Sequence, residues 1–250
     1  MPAPAKVAAP RIAFFDIETA PNLGYTWGKW EQNVISFKSS WYLLSFAVRY
    51  AGEKKTTTYA LPDYPGYAKN KECDKALTKQ LYKMMASADI VVGHNGDRFD
   101  IKKANARFIY HGLPPTPPYK TIDTLKIAKQ RFAFTSNKLD YLGAYLKVGR
   151  KLPHTGFHLW LGCMSGDMKA WRLMRRYNAQ DVDLLVRVYE KLKPWANNHP
   201  NLKLYHDREG CPTCLSTKVQ RRGVMVKLSS KRHRFHCQDC GVWFAGGVVK

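Results

Sequence analysis

An α/β fold with a small C-terminal β-rich module is the class the sequence predicts, and three observations predict it. Residues 12–19, IAFFDIET, form an apolar run of β character interrupted by acids. Strand-like and helix-like segments alternate from there to about residue 147, and a helical pattern then spans about 168–195. Two C-x-x-C pairs, Cys211/Cys214 and Cys237/Cys240, stand near the end of the sequence with 22 residues between them.

Taken in order, residues 1–10 are a Pro/Ala arm without a core-forming pattern, expected to be flexible. In the strand at 12–19, alternation puts Ile12, Phe14, Asp16 and Glu18 on one face and Ala13, Phe15 and Ile17 on the other. Apolar residues on both faces predict a central strand covered on both sides. WYLLSFAVRY (41–50) and TTTYAL (56–61) flank the turn-like AGEKK and predict an antiparallel meander with the first strand. A helix over 72–87 leads to a strand in DIVVGHN (89–95). From Phe99 to Tyr110, Ile101, Ala104, Phe108 and Ile109 recur at helical spacing, and Gly112, Pro114 and Pro115 supply the stop. LPPTPPY (113–119) reads as a rigid connector. Helices over 124–131 and 138–147, an irregular Gly-punctuated stretch at 149–166 and the long helix complete the body. A polar linker, 197–208, then precedes the module at 209–250.

Charge narrows the function classes. The chain of 250 residues has 41 Lys and Arg against 19 Asp and Glu, a formal net charge of +22. That balance suits a polyanionic partner rather than acidic proteins or neutral metabolites. The excess is spread: residues 1–200 hold 31 basic and 16 acidic residues, and 201–250 hold 10 and 3. No apolar run approaches the ~20 residues of a membrane span, and MPAPAKVAAP lacks a signal peptide's apolar stretch. A cytoplasmic protein in a reducing compartment, without membrane partners, is the expectation. Four of the six cysteines lie in the C-x-x-C pairs, which fits one metal site better than disulfides, and Cys73 and Cys163 read as inert, semi-buried thiols.

Because acids are scarce, inward-facing ones require a role. Trp171, Met174, Tyr177, Asp181, Leu184, Leu185, Val188, Leu192 and Trp195 form one helical stripe that Asp181 interrupts, whereas Asp183 falls on the opposite face. Tyr177 lies one turn before Asp181. An inward carboxylate costs several kcal/mol unless it is paired or binds a metal. Taken alone, a salt bridge to a core Arg or a bond to the Tyr177 hydroxyl accounts for it. Asp16 and Glu18, however, emerge about 7 Å apart on one strand face, a span an ion can bridge. Asp100 falls in the first turn of a helix, where the dipole also favours an acid, a role Asp97 fills equally. Asp123 in TIDTLK reads as a structural N-cap. Carboxylates without clustered His or Cys suit Mg²⁺ or Mn²⁺ rather than zinc.

D-I-E-T on the first strand, H-N-x-x-x-F-D from His94 to Asp100, and Y-x-x-x-D at Tyr177 to Asp181 resemble the three motifs of the DEDD superfamily of 3′→5′ exonucleases. Tyr177 in the third motif puts the resemblance with the DEDDy branch, which includes polymerase proofreading domains and the small YprB-like exonucleases. The resemblance covers about residues 11–196 and implies an RNase H-like fold, a mixed five-stranded sheet flanked by helices. It implies a catalytic set of Asp16, Glu18, Asp100, Tyr177 and Asp181. Two Mg²⁺ or Mn²⁺ ions are implied, one held by Asp16, Glu18 and Asp181 and the other by Asp16 with Asp100, while Tyr177 orients the attacking water. Nucleotide contacts are implied at Thr19, Ala20 and Leu23, and at His94, Asn95 and Phe99 in the second motif, where a hydrogen-bonded structural Asn reads equally well. The implied substrate is a single strand or a 3′ end, DNA before RNA. A structure-specific endonuclease and a non-catalytic recruitment platform stay open beside it.

LGYTWGKWEQNVISFKSSW (23–41) departs from that pattern. Its aromatics fit stacking on unpaired bases or core and lid packing equally. Arg98, Lys102, Lys103 and Arg107, with Lys126, Lys129, Arg131 and Lys138 further on, fit phosphate tracking or simply solvated helix faces.

CPTC and CQDC make two thiolate knuckles suited to one tetrahedral structural Zn²⁺. CPTCLSTKVQRRG and FHCQDCGVWF resemble transposase-type zinc ribbons. Between the knuckles lie Lys218, Arg221, Arg222, Lys227, Lys231, Arg232 and Arg234, with no acid before Asp239. A grip on nucleic acid through Arg221, Arg222, Lys231 and Arg232 is expected. A structural clip, or a docking surface for a replication or repair protein, is the alternative.

Overall fold

The computed structural model describes residues 10–30, 33–205 and 209–249. Nearly all of the expected N-terminal arm and three residues of the expected linker therefore lie outside the described residues. In chain order the strands and α-helices are β1 Ile12–Thr19, β2 Leu23–Tyr25, β3 Ser36–Ser39, β4 Leu43–Tyr50, β5 Thr57–Ala60, α1 Gly66–Lys69, α2 Lys75–Ala86, β6 Ile90–Gly93, α3 Asp100–Tyr110, β7 Lys120–Asp123, α4 Thr124–Arg131, α5 Leu139–Tyr145, α6 His158–Ser165, α7 Met168–Leu192, β8 Val219–Val226, β9 Lys231–Cys237 and β10 Trp243–Val248.

β1 is the middle of a mixed five-stranded sheet of order β5-β4-β1-β6-β7. β4 runs antiparallel to β1 and to β5, giving the expected meander, while β6 runs parallel to β1 and to β7. The alternation of β1 divides the interior as its sequence requires. Ala13, Phe15 and Ile17 enter one apolar core with α2, α3, α6 and the start of α7; Ile12 and Phe14 enter a second with α4, α5 and the rest of α7. Asp16 and Glu18 continue the second face past the point where apolar cover ends.

Three elements differ from expectation. β7 is a strand where only a connector and a cap were expected, because KTID is too short to display a period and owes its conformation to the β6 register, Ile90 opposite Lys120 through Gly93 opposite Asp123. Residues 158–165, expected to be irregular, form α6, and Gly166 ends it at φ 94. Gly162 reads as punctuation but serves packing, since a Cβ there would lie 2.6 Å from the Ala170 Cβ of α7. Within 23–41, β2 and β3 pair antiparallel as a hairpin.

The C-terminal module is a three-stranded antiparallel sheet, β10-β9-β8. Its buried apolar core consists of Cys211, Cys237 and Val242. Residues of the expected linker are docked: Leu202 is buried in the second core, its N–H donates to Pro212 O at 2.7 Å, and the Tyr189 hydroxyl meets His199 Nε2 at 2.8 Å. Cys163 is buried, whereas Cys73 is exposed rather than semi-buried. Among the described residues no helix is long and apolar enough to cross a membrane.

Candidate active site

β1 carries Asp16 and Glu18 opposite Ala47 and Ser45 of β4, and the register shifts immediately after Glu18. α7, capped by the Asp167 carboxylate accepting from Lys169 N–H at 2.7 Å, crosses that face and presents Tyr177, Asn178 and Asp181 to it. One carboxylate oxygen from each of Asp16, Glu18 and Asp181 lies within 4.8 Å of the other two. Asp181 is buried and Asp16 and Glu18 are half-buried, so the cluster is open on one side. Asp100, at the start of α3, is buried beside this group but not part of it; the Ile17 N–H donates to its Oδ1 at 3.0 Å.

That concentration of like charge has an electrostatic signature. Burial, then the charges of Asp100, Glu18 and Asp181, push Asp16 well above the usual carboxylate range. Burial and Asp181 push Glu18 up to about 8, against Lys151 and the indole of Trp160. Asp100 rises to about 7 through burial, with the Ile17 N–H opposing, and Asp181 rises through burial with Lys151 opposing.

Two polar side chains that the sequence did not reveal complete the cluster. Lys151 Nζ donates to Asp181 Oδ2 at 2.6 Å and to the Tyr177 hydroxyl oxygen at 3.2 Å, leaving the phenolic hydrogen free for another acceptor. Burial works against its charge, but Asp181 and Tyr177 outweigh burial and raise its pKa. Asn178 is fully buried: Nδ2 donates to Asp16 Oδ2 at 2.7 Å, and Oδ1 accepts from the Ser45 hydroxyl at 3.2 Å. That pair fixes one oxygen of Asp16. Lys151 sits on a segment without period to aim it, and Asn178 had only its adjacency to Tyr177 as a signal. His154 and Trp160 stand edge-on to the Tyr177 ring, with centroids 4.8 and 6.0 Å away.

The cluster fits divalent ions by its own chemistry. Its donors are carboxylate oxygens, Asp181 Oδ1 is buried without a hydrogen-bond partner, and one lysine leaves the buried acids under-neutralised. Asp16, Glu18 and Asp181 have the geometry to share one ion.

The expected nucleotide contacts divide. Thr19 and Ala20 line a cleft of about 460 Å³ with Pro21, Asn22, Trp41, Lys103, His154, Phe157 and Trp160. Leu23 lies outside it, exposed on the hairpin, and Phe99 is partly exposed beside Lys103. His94 is half-buried, and with Asn95, Lys138 and Lys151 it lines a separate cavity. Its Nε2 meets Asn137 O and its Nδ1 meets Thr124 Oγ1, both at 2.9 Å. A carbonyl only accepts, so Nε2 carries a proton, and burial favours the neutral ring by lowering its pKa to about 4. Asn95 holds a positive φ of 68, and its N–H donates to Asp123 Oδ1 at 2.9 Å. That tight turn needs the flanking glycines, since a Cβ on Gly93 would meet the Gly96 Cα at 3.0 Å. Asp123 also caps α4 through Leu125 N–H at 2.9 Å, as expected.

In the module, one sulfur from each of Cys211, Cys214, Cys237 and Cys240 lies within 4.8 Å of the others. Cys211 and Cys240, like Cys214 and Cys237, stand 3.6 Å apart, too far for a disulfide and close to the ~3.8 Å edge of a tetrahedron with Zn–S near 2.3 Å. Arg221, Arg222 and Lys231 are exposed, whereas Arg232 is partly buried and donates to Gly246 O at 3.2 Å.

The family model described as RNase_H superfamily matches residues 13–193. Among solved structures, the family B DNA polymerase from the hyperthermophilic archaeon Pyrobaculum calidifontis is similar, with TM-score 0.56 and 16% sequence identity over 75% of this chain and 25% of that chain. The chain thus matches only a quarter of the polymerase's length. The comparison with curated proteins gives no match.

Proposed function

The chain belongs to the RNase H superfamily, and from that premise we propose that it is a metal-dependent nuclease removing nucleotides from the 3′ end of nucleic acid, DNA before RNA. One observation carries the reading: Asp16, Glu18 and Asp181 converge within 4.8 Å inside a protein of net charge +22, with no arginine and a single lysine paired to the group. Two divalent ions held by these residues and Asp100 would supply Lewis acidity toward a phosphodiester and a nucleophile available at neutral pH.

The chain's own residues then have definable tasks. Asn178, itself held by Ser45, keeps Asp16 in one rotamer. The Ile17 N–H keeps Asp100 aimed at the same face. Tyr177 is a poor general base because burial and Asp181 raise its pKa further, so its hydroxyl serves to orient water rather than to take its proton. Lys151 balances Asp181 and provides a mobile cation within reach of an incoming phosphate. The cleft beyond Thr19 and Ala20 takes the terminal nucleotide. The fold-level likeness to a DNA polymerase supports DNA as substrate. The four-cysteine group fits one structural Zn²⁺, and the exposed Arg221, Arg222 and Lys231 fit a grip on the substrate backbone.

The test is incubation of 5′-labelled single- and double-stranded DNA and RNA with Mg²⁺ or Mn²⁺. A ladder shortening one nucleotide at a time from the 3′ end is expected, strongest on DNA. Internal cuts at junctions would favour a structure-specific endonuclease, and no hydrolysis with either ion would leave a recruitment platform.

A further inference from the structure

The β2–β3 hairpin carries none of the carboxylates and displays large aromatic rings. Trp27 and Trp30 are 86% and 84% exposed, and Tyr25 and Phe37 are each 58% exposed. Core packing demands buried rings, so that alternative fails. Clustered rings in solvent mark a surface that something else covers.

We propose that this hairpin is a stacking arm that holds the unpaired strand of a nucleic acid as its 3′ end enters the carboxylate site, an inference that rests on the nuclease reading. The arm is rooted at that site. Glu18 is followed within two residues by Ala20, whose N–H donates to Tyr42 O at 2.9 Å, and the Trp41 N–H donates to Asn22 Oδ1 at 2.9 Å, so the two legs are tied together at the end of β1 that bears the acids. Thr19, Ala20, Pro21, Asn22 and Trp41 line the cleft there, making the hairpin root one wall of the terminal-nucleotide pocket. From Ala20 to Trp30 an extended chain reaches at most ~35 Å, enough to meet nucleotides upstream of the reacting one.

Cations accompany the rings. Lys29 Nζ lies 5.2 Å from the Trp30 centroid, Lys103 Nζ lies 3.6 Å from that of Trp41, and Lys38 is on β3. Ring plus ammonium matches a base plus its phosphate, and a net charge of +22 selects a polyanion. Unpaired bases offer free faces for stacking, whereas duplex bases are already stacked on each other, so the occupant is a single strand.

The experiment measures fluorescence anisotropy of labelled dT30 with the full chain in EDTA, so that no hydrolysis enters. Because the rings are solvent-exposed, W27A/W30A should keep the parent's melting temperature. It should bind dT30 more weakly by roughly tenfold or more per ring, since stacking on an aromatic is worth about one to two decades of affinity per base. Its affinity for a blunt duplex should be unchanged, and W27F/W30F should recover most of the loss, which a role in folding would not predict. Affinity for dT30 equal to the parent's overturns the proposal, as does a loss equal for duplex and single strand. A parent that sediments as a dimer and a double variant that sediments as a monomer with unchanged dT30 affinity also overturn it and give the face to a second copy of this chain. Failure of the nuclease reading would look different: a parent that binds dT30 through these rings yet never shortens it when Mg²⁺ or Mn²⁺ is added.

Discussion

Two regions of this chain gather ligand atoms within the same 4.8 Å, and the molecule supports them in opposite ways. The carboxylates stand on β1 and α7 between two cores that include Phe15, Phe46, Trp171 and Met174 on one side and Phe14, Leu142 and Leu184 on the other. The cysteines have no such backing, since Cys211 and Cys237 together with Val242 are the module's buried core. In the body, apolar burial offsets the cost of crowding like charges. A module of about 40 residues has too little apolar surface to fold on its own contacts, so its ligands must also be its core. The body should hold its shape whatever its acids bind, and the module should not.

The most forceful way to break that contrast is Cys211→Ser. Structural zinc in small modules contributes about 10 kcal/mol of folding energy. Loss of one zinc equivalent and of β8–β10 amide dispersion is expected, with the near-ultraviolet circular dichroism of the body retained. Affinity for nucleic acid should fall and its salt dependence flatten, by about 0.7 in slope for each single-strand phosphate the module no longer holds. A body that melts together with the module would mean that the docked Leu202 and His199 make one cooperative unit.

Asp16→Ala is the mirror experiment. Hydrolysis should drop by roughly three orders of magnitude or more, because several kcal/mol of transition-state stabilisation pass through the ions it would hold. Stability should hold or rise as like-charge repulsion is relieved. A collapsed circular-dichroism spectrum would make Asp16 a structural acid and erase the difference between the regions.

Tyr177→Phe sharpens the contrast within the body. It removes one hydroxyl from the Lys151–Asp181 group and leaves every carboxylate, so a loss of about 10- to 1000-fold in kcat with KM nearly constant is expected. Single-turnover rates on a labelled strand decide it. Unchanged rates would take the hydroxyl out of the chemistry.

What was legible in the sequence follows from where period and burial are local. β1 announces both faces because eight residues alternate against two cores, and α7 announces Asp181 because 25 residues give its stripe time to repeat. β7 and α6 were not legible: one is four residues shaped by its neighbour strand, and the other hides behind Gly162, which serves packing against α7, and Gly166, which ends it. Lys151 and Asn178 escaped because their meaning lies in partners 30 and 162 residues away. The partners of His94 were hidden for the same reason, since a motif specifies a residue type and position, whereas only the fold supplies Asn137 and Thr124.

His94 also gives the smallest and most discriminating prediction, because acid should act on the two regions by different routes. Its folded pKa is about 4 against an ordinary 6.5, so the unfolded chain takes up a proton below about pH 6.5 that the folded chain refuses until about pH 4. The unfolded state thus binds more protons in that window, and stability, fully present above it, is lost as pH falls through it. For a half-buried ring the loss is on the order of 1–3 kcal/mol. His94→Gln removes the titration, so the body's melting temperature should depend less on pH between 6.5 and 4 than the parent's. Zinc release from the module, driven in acid by protonation of thiolates, should follow the same curve in both proteins. Calorimetry and a chromogenic zinc chelator, read on the same samples, separate the two routes. If His94→Gln keeps the parent's pH slope, the ring is not the titrating group; if it shifts zinc release, the body and the module are coupled more tightly than their separate cores imply.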